Sequence, residues 1–173
     1  LFDGITLYTP SVGAIVALVL AILLLGCSGF VSASEIAFFS LSPKDMNDIN
    51  QSGKKVDKHI LSLLDESERL LATILISNNF VNVTIIMLCN YFFAEVVDFG
   101  TSVILEFLVI TVILTFLLLL FGEIMPKIYS AQHTLKFSRF AAPVVSVLKK
   151  VFSPLSALLV KSSVIVKNKS KEV

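Results

Sequence analysis

Polar residues inside otherwise apolar stretches are the part of this sequence that could carry chemistry. The first group contains Ser28, Ser32 and Glu35, and their spacings of four and three residues place them on one face of a helix. Hydroxyl and carboxylate oxygens on one face could bind a cation. The alternative is close helix packing, for which membrane proteins also use small residues such as serine. Glu35 favours cation binding, although an acid can also mark a solvated helix end.

Three asparagines form the second group, in the run from Ser77 to Asn82. Asn78 and Asn82 share a helix face, whereas Asn79 is turned by about 100° from Asn78. The alternative role of such amides is hydrogen bonding between helices, which is worth only about 0.6 kcal/mol in typical membrane proteins. Three amides exceed what helix association needs, so this run is predicted to bind a ligand.

Glu123 is the third candidate, because it lies at the end of an uncharged run that begins after Glu106. Pro126 follows three residues later and has no backbone N–H, so a carbonyl of the preceding turn can remain available as an acceptor. The alternative is an acid at the membrane interface that pairs with Lys127.

Together these groups offer hydroxyl, amide and carboxylate oxygens, with no Cys or His among them. Such a set is typical of a hard cation such as Mg2+ and not of Zn2+ or copper. The sequence contains no Ser-His-acid constellation, phosphate loop or HExxH motif, so the protein is not predicted to be an enzyme. The predicted metal ligands are Ser28, Ser32, Asn78, Asn82, Glu123 and Glu35.

The elements that position these residues are predicted to be membrane-spanning helices. Of the 173 residues, 55% are hydrophobic and 16% are charged, against about 25% charged in soluble domains. Long charge-free runs predict an all-α membrane protein with three spans at residues 11–42, 70–97 and 101–122, since about 20 apolar residues cross the hydrocarbon core. Cys27 and Cys89 lie inside these runs and are predicted to pack as small apolar residues.

The loops predict the orientation, because Lys and Arg accumulate on the cytoplasmic side. Five of the 14 basic residues lie between the first two spans and nine follow Glu123, whereas the outer connection at residues 94–100 has only Glu95 and Asp98. The N-terminus is therefore predicted to lie outside and the C-terminus in the cytosol. The net charge of +1 makes nucleic-acid binding a poor explanation of the basic residues.

Residues 43–69 are predicted to form a cytosolic helical hairpin that completes a transmembrane domain of residues 1–135. Residues 136–173 are predicted to form a juxtamembrane amphipathic helix on the inner membrane surface, because apolar residues recur there among lysines. The alternative is a fourth span at residues 140–160. It would place Lys149 and Lys150 at mid-bilayer, at a cost of about 2.5 to 3.5 kcal/mol each.

The sequence resembles the membrane domain of the CorC and cyclin M (CNNM) family of magnesium transport proteins. The matching motifs are SGFVSASE at residues 28–35, LATILISNNFVN at 71–82 and FGEIMPK at 121–127. The resemblance implies a homodimer in a bacterial inner membrane, Mg2+ export driven by Na+ entry, and downstream cytosolic nucleotide-binding domains. Ala33 and Ser77 stand where relatives often have Gly, and both are small enough for little change to be expected.

Two functions are consistent with these observations. The first is Mg2+ transport with Na+ as the coupling ion, and the second is a membrane-anchored Mg2+ sensor or assembly component that transports nothing. Both need the same ligands. The start at Leu1 and the basic tail that ends at Val173 suggest a piece of a longer protein.

Overall fold

The computed structural model of the protein describes residues 6–98 and 103–169, and this part is almost entirely helical. Two short strands, β1 and β2, pair antiparallel with Thr6 opposite Asp98 and Leu7 opposite Val97. The predicted helical fold class is thus confirmed, with this strand pair as an addition. The helices are α1 Val12–Phe39, α2 Pro43–Ser52, α3 Lys55–Asp65, α4 Ser67–Val96, α5 Val103–Leu117, α6 Met125–Gln132, α7 Thr134–Val151 and α8 Ser153–Lys169, with a π-helical stretch at Leu118–Ile124.

Three helical segments of the described chain are long and apolar enough to cross a membrane, namely Val12–Phe39, Ser67–Val96 and Glu106–Gln132. The 28 residues of α1 extend over about 42 Å, which exceeds the hydrocarbon core of about 30 Å. Large apolar side chains on these segments are exposed, such as Leu23 at 62% and Phe116 at 62%. The protein is therefore a multi-pass membrane protein.

The third span differs from its sequence-based bounds, because it continues through Pro126 to Gln132 instead of ending at residue 122. In the π-helical stretch the Met125 N–H donates to the Leu120 carbonyl, five residues earlier. Pro126 is then the second residue of α6. The π-helical stretch runs directly into α6, so the missing N–H of Pro126 leaves one carbonyl of the preceding turn without its usual helical donor.

The chain divides into two compact units. Unit 1 comprises Leu1–Gly29 and Phe80–Met125, and unit 2 comprises Phe30–Asn79 and Pro126–Val173. The core of unit 1 consists of Ala21, Ile85, Cys89, Ile110 and Leu114. Cys89 packs in this core as predicted, whereas Cys27 is exposed.

Unit 2 contains the helical hairpin of α2 and α3, with α7 packed against α3. Ser42 caps α2 and shares a reciprocal capping box with Asp45, and Gly53 ends the helix with φ of 64°, in the left-handed region that favours glycine. These local signals turn the chain so that α3 can bury its apolar face. The core of this unit contains Val31, Phe38, Ile49, Ile60, Leu63, Leu70, Ile74, Ala141, Ala142 and Val145.

A buried ion pair also joins α3 and α7. The Asp57 side chain is 1% exposed and receives two hydrogen bonds from Arg139, Nε to Oδ1 at 2.8 Å and Nη2 to Oδ2 at 2.9 Å. Ser52 also donates to this carboxylate. The Arg139 hydrogen bonds hold the pKa of the Asp57 carboxyl below its ordinary value, so the acid is charged at neutral pH.

The tail after α6 is not one straight helix, because α7 and α8 are bent by 76° at their junction. α7 buries a face of small residues that includes Ser138, Ala141 and Val145. Phe140 at 66% exposed and Val147 at 58% exposed lie outside that face. A continuous span over residues 140–160 therefore does not form, although the bent pair as a whole is apolar enough for a broken span. The position of this tail on the inner membrane surface stays a prediction.

Candidate functional site

A hydroxyl and an amide from two spanning helices meet inside unit 1. Ser28 on α1 is completely buried, and its Oγ donates a 2.6 Å hydrogen bond to Oδ1 of Asn82 on α4. Both residues were predicted to be ligands. Their pairing places two uncharged oxygens side by side among apolar neighbours.

Gly122, which the sequence analysis did not single out, brings the third span against Ser28. A Cβ added to Gly122 would lie 3.1 Å from Ser28 Oγ and 3.5 Å from Leu25 Cδ1, so glycine allows this close approach without displacing the Ser28 hydroxyl. Gly122 belongs to the π-helical stretch, and such irregular turns are frequent at functional sites. Pro126 also withholds the donor that an α-helix would supply to the Gly122 carbonyl. The signal in the sequence was the pairing of Gly122 with a proline four residues later.

Glu123 follows Gly122 in the same π-helical stretch and is partly exposed. Its carboxylate makes no ion pair with any residue that the structure describes. The alternative interpretation of this acid was a pair with Lys127, but Lys127 instead bonds Glu35 in unit 2, with Nζ 3.1 Å from Oε2. Glu35 therefore has a counterion within unit 2, which favours a structural role for this acid over metal binding.

A second hydroxyl and amide pair lies in unit 2. Ser32 is 1% exposed, and its Oγ donates to Oδ1 of Asn78 at 3.3 Å. Asn79 is exposed and donates through Nδ2 to the Leu75 carbonyl of its own helix. The amide that was predicted to turn away from the other two thus has a local structural role.

Two further serines of this region are buried but bonded within their own helices. Ser34 Oγ donates to the Phe30 carbonyl at 2.7 Å, and Ser77 Oγ donates to the Thr73 carbonyl at 2.7 Å. Such bonds satisfy a hydroxyl locally and leave it little reason to bind a ligand. Ser28 and Ser32 differ from these two serines, because each donates to a side-chain amide of another helix.

The oxygen spacing in each pair is compatible with a small octahedral cation. Oxygen ligands lie about 2.1 Å from Mg2+, so neighbouring ligands are about 3.0 Å apart. The measured separations of 2.6 Å for Ser28 and Asn82 and 3.3 Å for Ser32 and Asn78 bracket this value. A serine hydroxyl can rotate its proton away and offer a lone pair, so each pair could provide two ligands without moving a helix.

No group of three or more His, Cys, Asp or Glu side chains that could hold a metal is present in the described parts of the chain. The candidate ligands are therefore hydroxyl and amide oxygens, with one candidate carboxylate in each unit, Glu123 in unit 1 and Glu35 in unit 2. Such a set favours a cation that keeps part of its water shell.

Comparison with known proteins gives a consistent result. Residues 19–172 match the family model described as the cyclin M transmembrane N-terminal domain. The chain is 32% identical over 158 residues to a UPF0053 protein of Haemophilus influenzae, covering 91% of this chain and 34% of that protein. It is 31% identical over 149 residues to the metal transporter cnnm-4 of Caenorhabditis elegans, covering 81% of this chain and 31% of that protein.

A third relative is the UPF0053 inner membrane protein YfjD of Escherichia coli, which is 28% identical over 138 residues. That match covers 76% of this chain and 30% of the relative. The chain thus spans about a third of the length of the curated relatives it matches.

Proposed function

The chain belongs to the family of cyclin M transmembrane N-terminal domains, and on that premise we propose that it transports a divalent cation, Mg2+, across the membrane. The name of one relative, a metal transporter, supports transport as the activity. The oxygen-only character of the candidate ligands supports Mg2+ as the cargo. The family description names a membrane domain and the relative's name a metal transporter, so transport rather than catalysis is the proposed activity.

The observation that carries the proposal is the buried contact of Ser28 with Asn82, against which Gly122 packs. Buried polar groups in a spanning segment are expensive, so a hydroxyl and an amide that meet between two spans are candidates for a functional role. Binding a partly hydrated cation is such a role, because hydroxyl and amide oxygens replace some of the water that the ion gives up. The remaining waters of Mg2+ would stay on the ion.

Glu123 supplies the negative charge in this proposal. Its position directly after Gly122 places it next in the chain to the residue that touches Ser28. A divalent cation in a low-dielectric region needs an opposing charge, which neutral oxygens cannot provide. Ser32 and Asn78 in unit 2 remain predicted ligands, and Glu35 is the weakest of the predicted set because Lys127 already neutralises it.

The finer features of the proposal come from the family resemblance and the charge pattern. We propose export of Mg2+ coupled to Na+ entry, by a homodimer with downstream cytosolic nucleotide-binding domains. The location is the inner membrane of a bacterium, as in the name of the Escherichia coli relative. The N-terminus lies outside, because the basic residues concentrate in the two segments assigned to the cytosol.

A Mg2+ sensor that moves no ion is the second candidate, because it would need the same oxygens. The two are distinguished by flux. Protein reconstituted into liposomes that contain a Mg2+-sensitive dye should change internal Mg2+ when a Na+ gradient is applied, and Ser28→Ala should slow this change. Binding of Mg2+ without any flux under either direction of the Na+ gradient would contradict transport and support the sensor.

A further inference from the structure

A basic pocket in unit 2 is separate from the proposed ion ligands. It is a cavity of about 400 Å³ between α3 and the junction of α7 with α8, within the range of about 300–1,000 Å³ that is usual for small-molecule sites. Leu63 and the alkyl stems of the lysines give the pocket apolar surface beside its polar groups, so it suits a ligand with both a charged and an apolar part. The lining residues are Lys58, His59, Ser62, Leu63, Ser146, Lys149, Lys150 and Ser153.

The charges of this pocket indicate an anion. Three lysines line it, and none of the described lining residues is acidic. Lys149 has a partner outside the lining, since its Nζ lies 3.1 Å from Glu66 Oε1, but Glu66 also accepts from Arg69 Nη1 at 2.9 Å. One carboxylate is thus shared by two cations. Lys58 and Lys150 form no ion pair within the described residues, which leaves their charge available to a ligand.

The hydroxyls of the pocket fit a phosphate group in particular. Ser62 and Ser153 bring hydroxyl groups to the same cavity as the lysines, and hydroxyl and ammonium donors together satisfy several phosphate oxygens. Ser146 also lines the cavity, but its Oγ donates to the Ala142 carbonyl of its own helix at 2.8 Å. Ser153 begins α8 where α7 has just ended at Val151, so the dipoles of the two helices oppose each other there and the lysines supply the attraction for an anion.

Exposed apolar side chains that lie next to the lining residues in the chain indicate where an apolar part of the ligand lies. Val147 follows Ser146, Val151 follows Lys150, and Leu155 lies two residues after Ser153. Their side chains are 58%, 63% and 51% exposed. A soluble phosphate compound would make no use of these apolar groups, whereas the acyl chains of a lipid would cover them.

We propose that this pocket binds the phosphate headgroup of an anionic membrane lipid, with the acyl chains along the exposed apolar residues of α7 and α8. Lys58 and Lys150 hold the phosphate by charge, and Ser62 and Ser153 donate hydrogen bonds to it. The bound lipid bridges α3 and the junction of α7 with α8. It therefore fixes the helical hairpin and the tail against the inner leaflet.

The test is a lipid titration of the purified protein in a neutral detergent, followed by native mass spectrometry. The probes are dioctanoyl phosphatidylglycerol, dioctanoyl phosphatidylcholine and inorganic phosphate. The double variant Lys58→Gln/Lys150→Gln removes the two available charges. The matched control, Lys44→Gln/Lys136→Gln, removes two exposed lysines of the same unit that do not line the pocket.

Phosphatidylglycerol is expected to bind the parent protein more tightly than phosphatidylcholine does. The pocket variant should lose roughly 25-fold in affinity, about fivefold for each lysine, while the control variant stays close to the parent. The variant Lys58→Arg/Lys150→Arg keeps both charges and should bind nearly as well as the parent. This separates loss of charge from loss of fold if the Gln variant is unstable.

Three results would overturn the proposal. Equal weakening in the pocket and control variants would mean a diffuse charge effect. Unchanged affinity in a folded pocket variant would mean that the pocket is not used. Inorganic phosphate that binds as tightly as the short-chain lipid and displaces it would assign the site to a soluble phosphate compound instead.

Discussion

Ser28 Oγ lies 2.6 Å from Asn82 Oδ1 and is also the atom that a side chain at position 122 would meet first. One buried hydroxyl therefore contacts two other spanning segments of unit 1. A change at any of the three positions alters the surroundings of the same oxygen. The proposed cation site rests on these contacts of Ser28 with Asn82 and Gly122.

Removing the hydroxyl should weaken metal binding without unfolding the protein. Ser28→Ala deletes one oxygen and leaves the Asn82 oxygen without this donor, so we expect Mg2+ affinity to fall about fivefold to tenfold, for a loss of about 1 to 1.5 kcal/mol. Ser34→Ala is the matched control, since Ser34 is equally buried but bonds its own helix. Calorimetric Mg2+ titration checks both, and equal affinities for the two variants would count against Ser28 as a ligand.

Adding one methyl group at Gly122 should disturb the same oxygen. In Gly122→Ala the new Cβ would lie 3.1 Å from Ser28 Oγ, so the Ser28 side chain must move by a few tenths of an ångström. We expect a loss of about 1 to 3 kcal/mol in stability, the usual cost of overpacking, together with weaker Mg2+ binding. Thermal unfolding in detergent measures the first effect.

Gly26→Ala is the control for that change, because a Cβ at Gly26 would meet nothing within 4 Å. It should leave stability unchanged or slightly raised, since alanine favours a helix more than glycine does. A Gly122→Ala protein as stable as Gly26→Ala would show that the third span does not press on Ser28.

The ion pair of unit 2 predicts a pH-dependent contribution to stability. Asp57 has a pKa held below its ordinary value of 3.8, chiefly by the hydrogen bonds from Arg139. The native state therefore favours the ionised acid, and its stabilisation is complete above about pH 4 and is lost as the pH falls through the lowered pKa. Asp57→Asn should cost about 3 kcal/mol at neutral pH, because it leaves Arg139 without its counterion.

Thermal unfolding from about pH 7 to about pH 3 checks this linkage. The deficit of Asp57→Asn relative to the parent should be constant near neutral pH and should shrink in the acid range. Asp65→Asn, an exposed acid at the end of α3, is the control and should change little. A deficit that grows as the pH falls would contradict the sign of the pKa shift.

The orientation can be tested by cysteine labelling in cells. A cysteine at Asp98, an exposed residue of β2, is expected to react with a membrane-impermeant maleimide added from outside. A cysteine at Lys44 on α2 should react only after the membrane is permeabilised. Labelling of Asp98→Cys from the cytosolic side alone would reverse the proposed topology.

Hydropathy alone was sufficient to predict the three spans, because a charge-free apolar run of 20 or more residues is long enough to cross the bilayer as a helix. The end of the third span could not be predicted in the same way. Pro126 is a helix breaker by type, yet here it follows a π-helical stretch that places it in the first turn of α6. Whether a proline ends or continues a helix depends on the hydrogen bonds of the preceding turn, which the sequence does not display.

Side-chain partners were predicted less well than helix faces. Spacing along α1 indicated that Ser28 and Ser32 share a face, but their partners lie 54 and 46 residues away on α4. Lys127 is close in sequence to Glu123 and nevertheless bonds Glu35. Long-range partners depend on how the helices pack. For the same reason, spacing in the sequence does not show that the lysines of α3 and α7 line one pocket.

The measurement that tests the proposed site most directly is a Mg2+ titration of Glu123→Gln by calorimetry. This change keeps the size and one carbonyl oxygen of the side chain but removes the charge. A monovalent charge about 4 Å from another contributes about 4 kcal/mol at an effective dielectric of about 20, and more for a divalent ion. Binding should therefore collapse while the protein still folds, and Ser32→Ala and Asn78→Ala should weaken it less, since water can partly replace a neutral ligand.

Glu106→Gln is the matched control, because it removes the other acid of the same span. The account predicts that Glu106→Gln binds Mg2+ like the parent and that Glu123→Gln does not. If Glu123→Gln binds as well as the parent while Glu35→Gln fails, the site lies at the inner end of α1 and the assignment of Glu123 is contradicted. If neither substitution changes binding, both acids are structural and the proposed site is contradicted altogether.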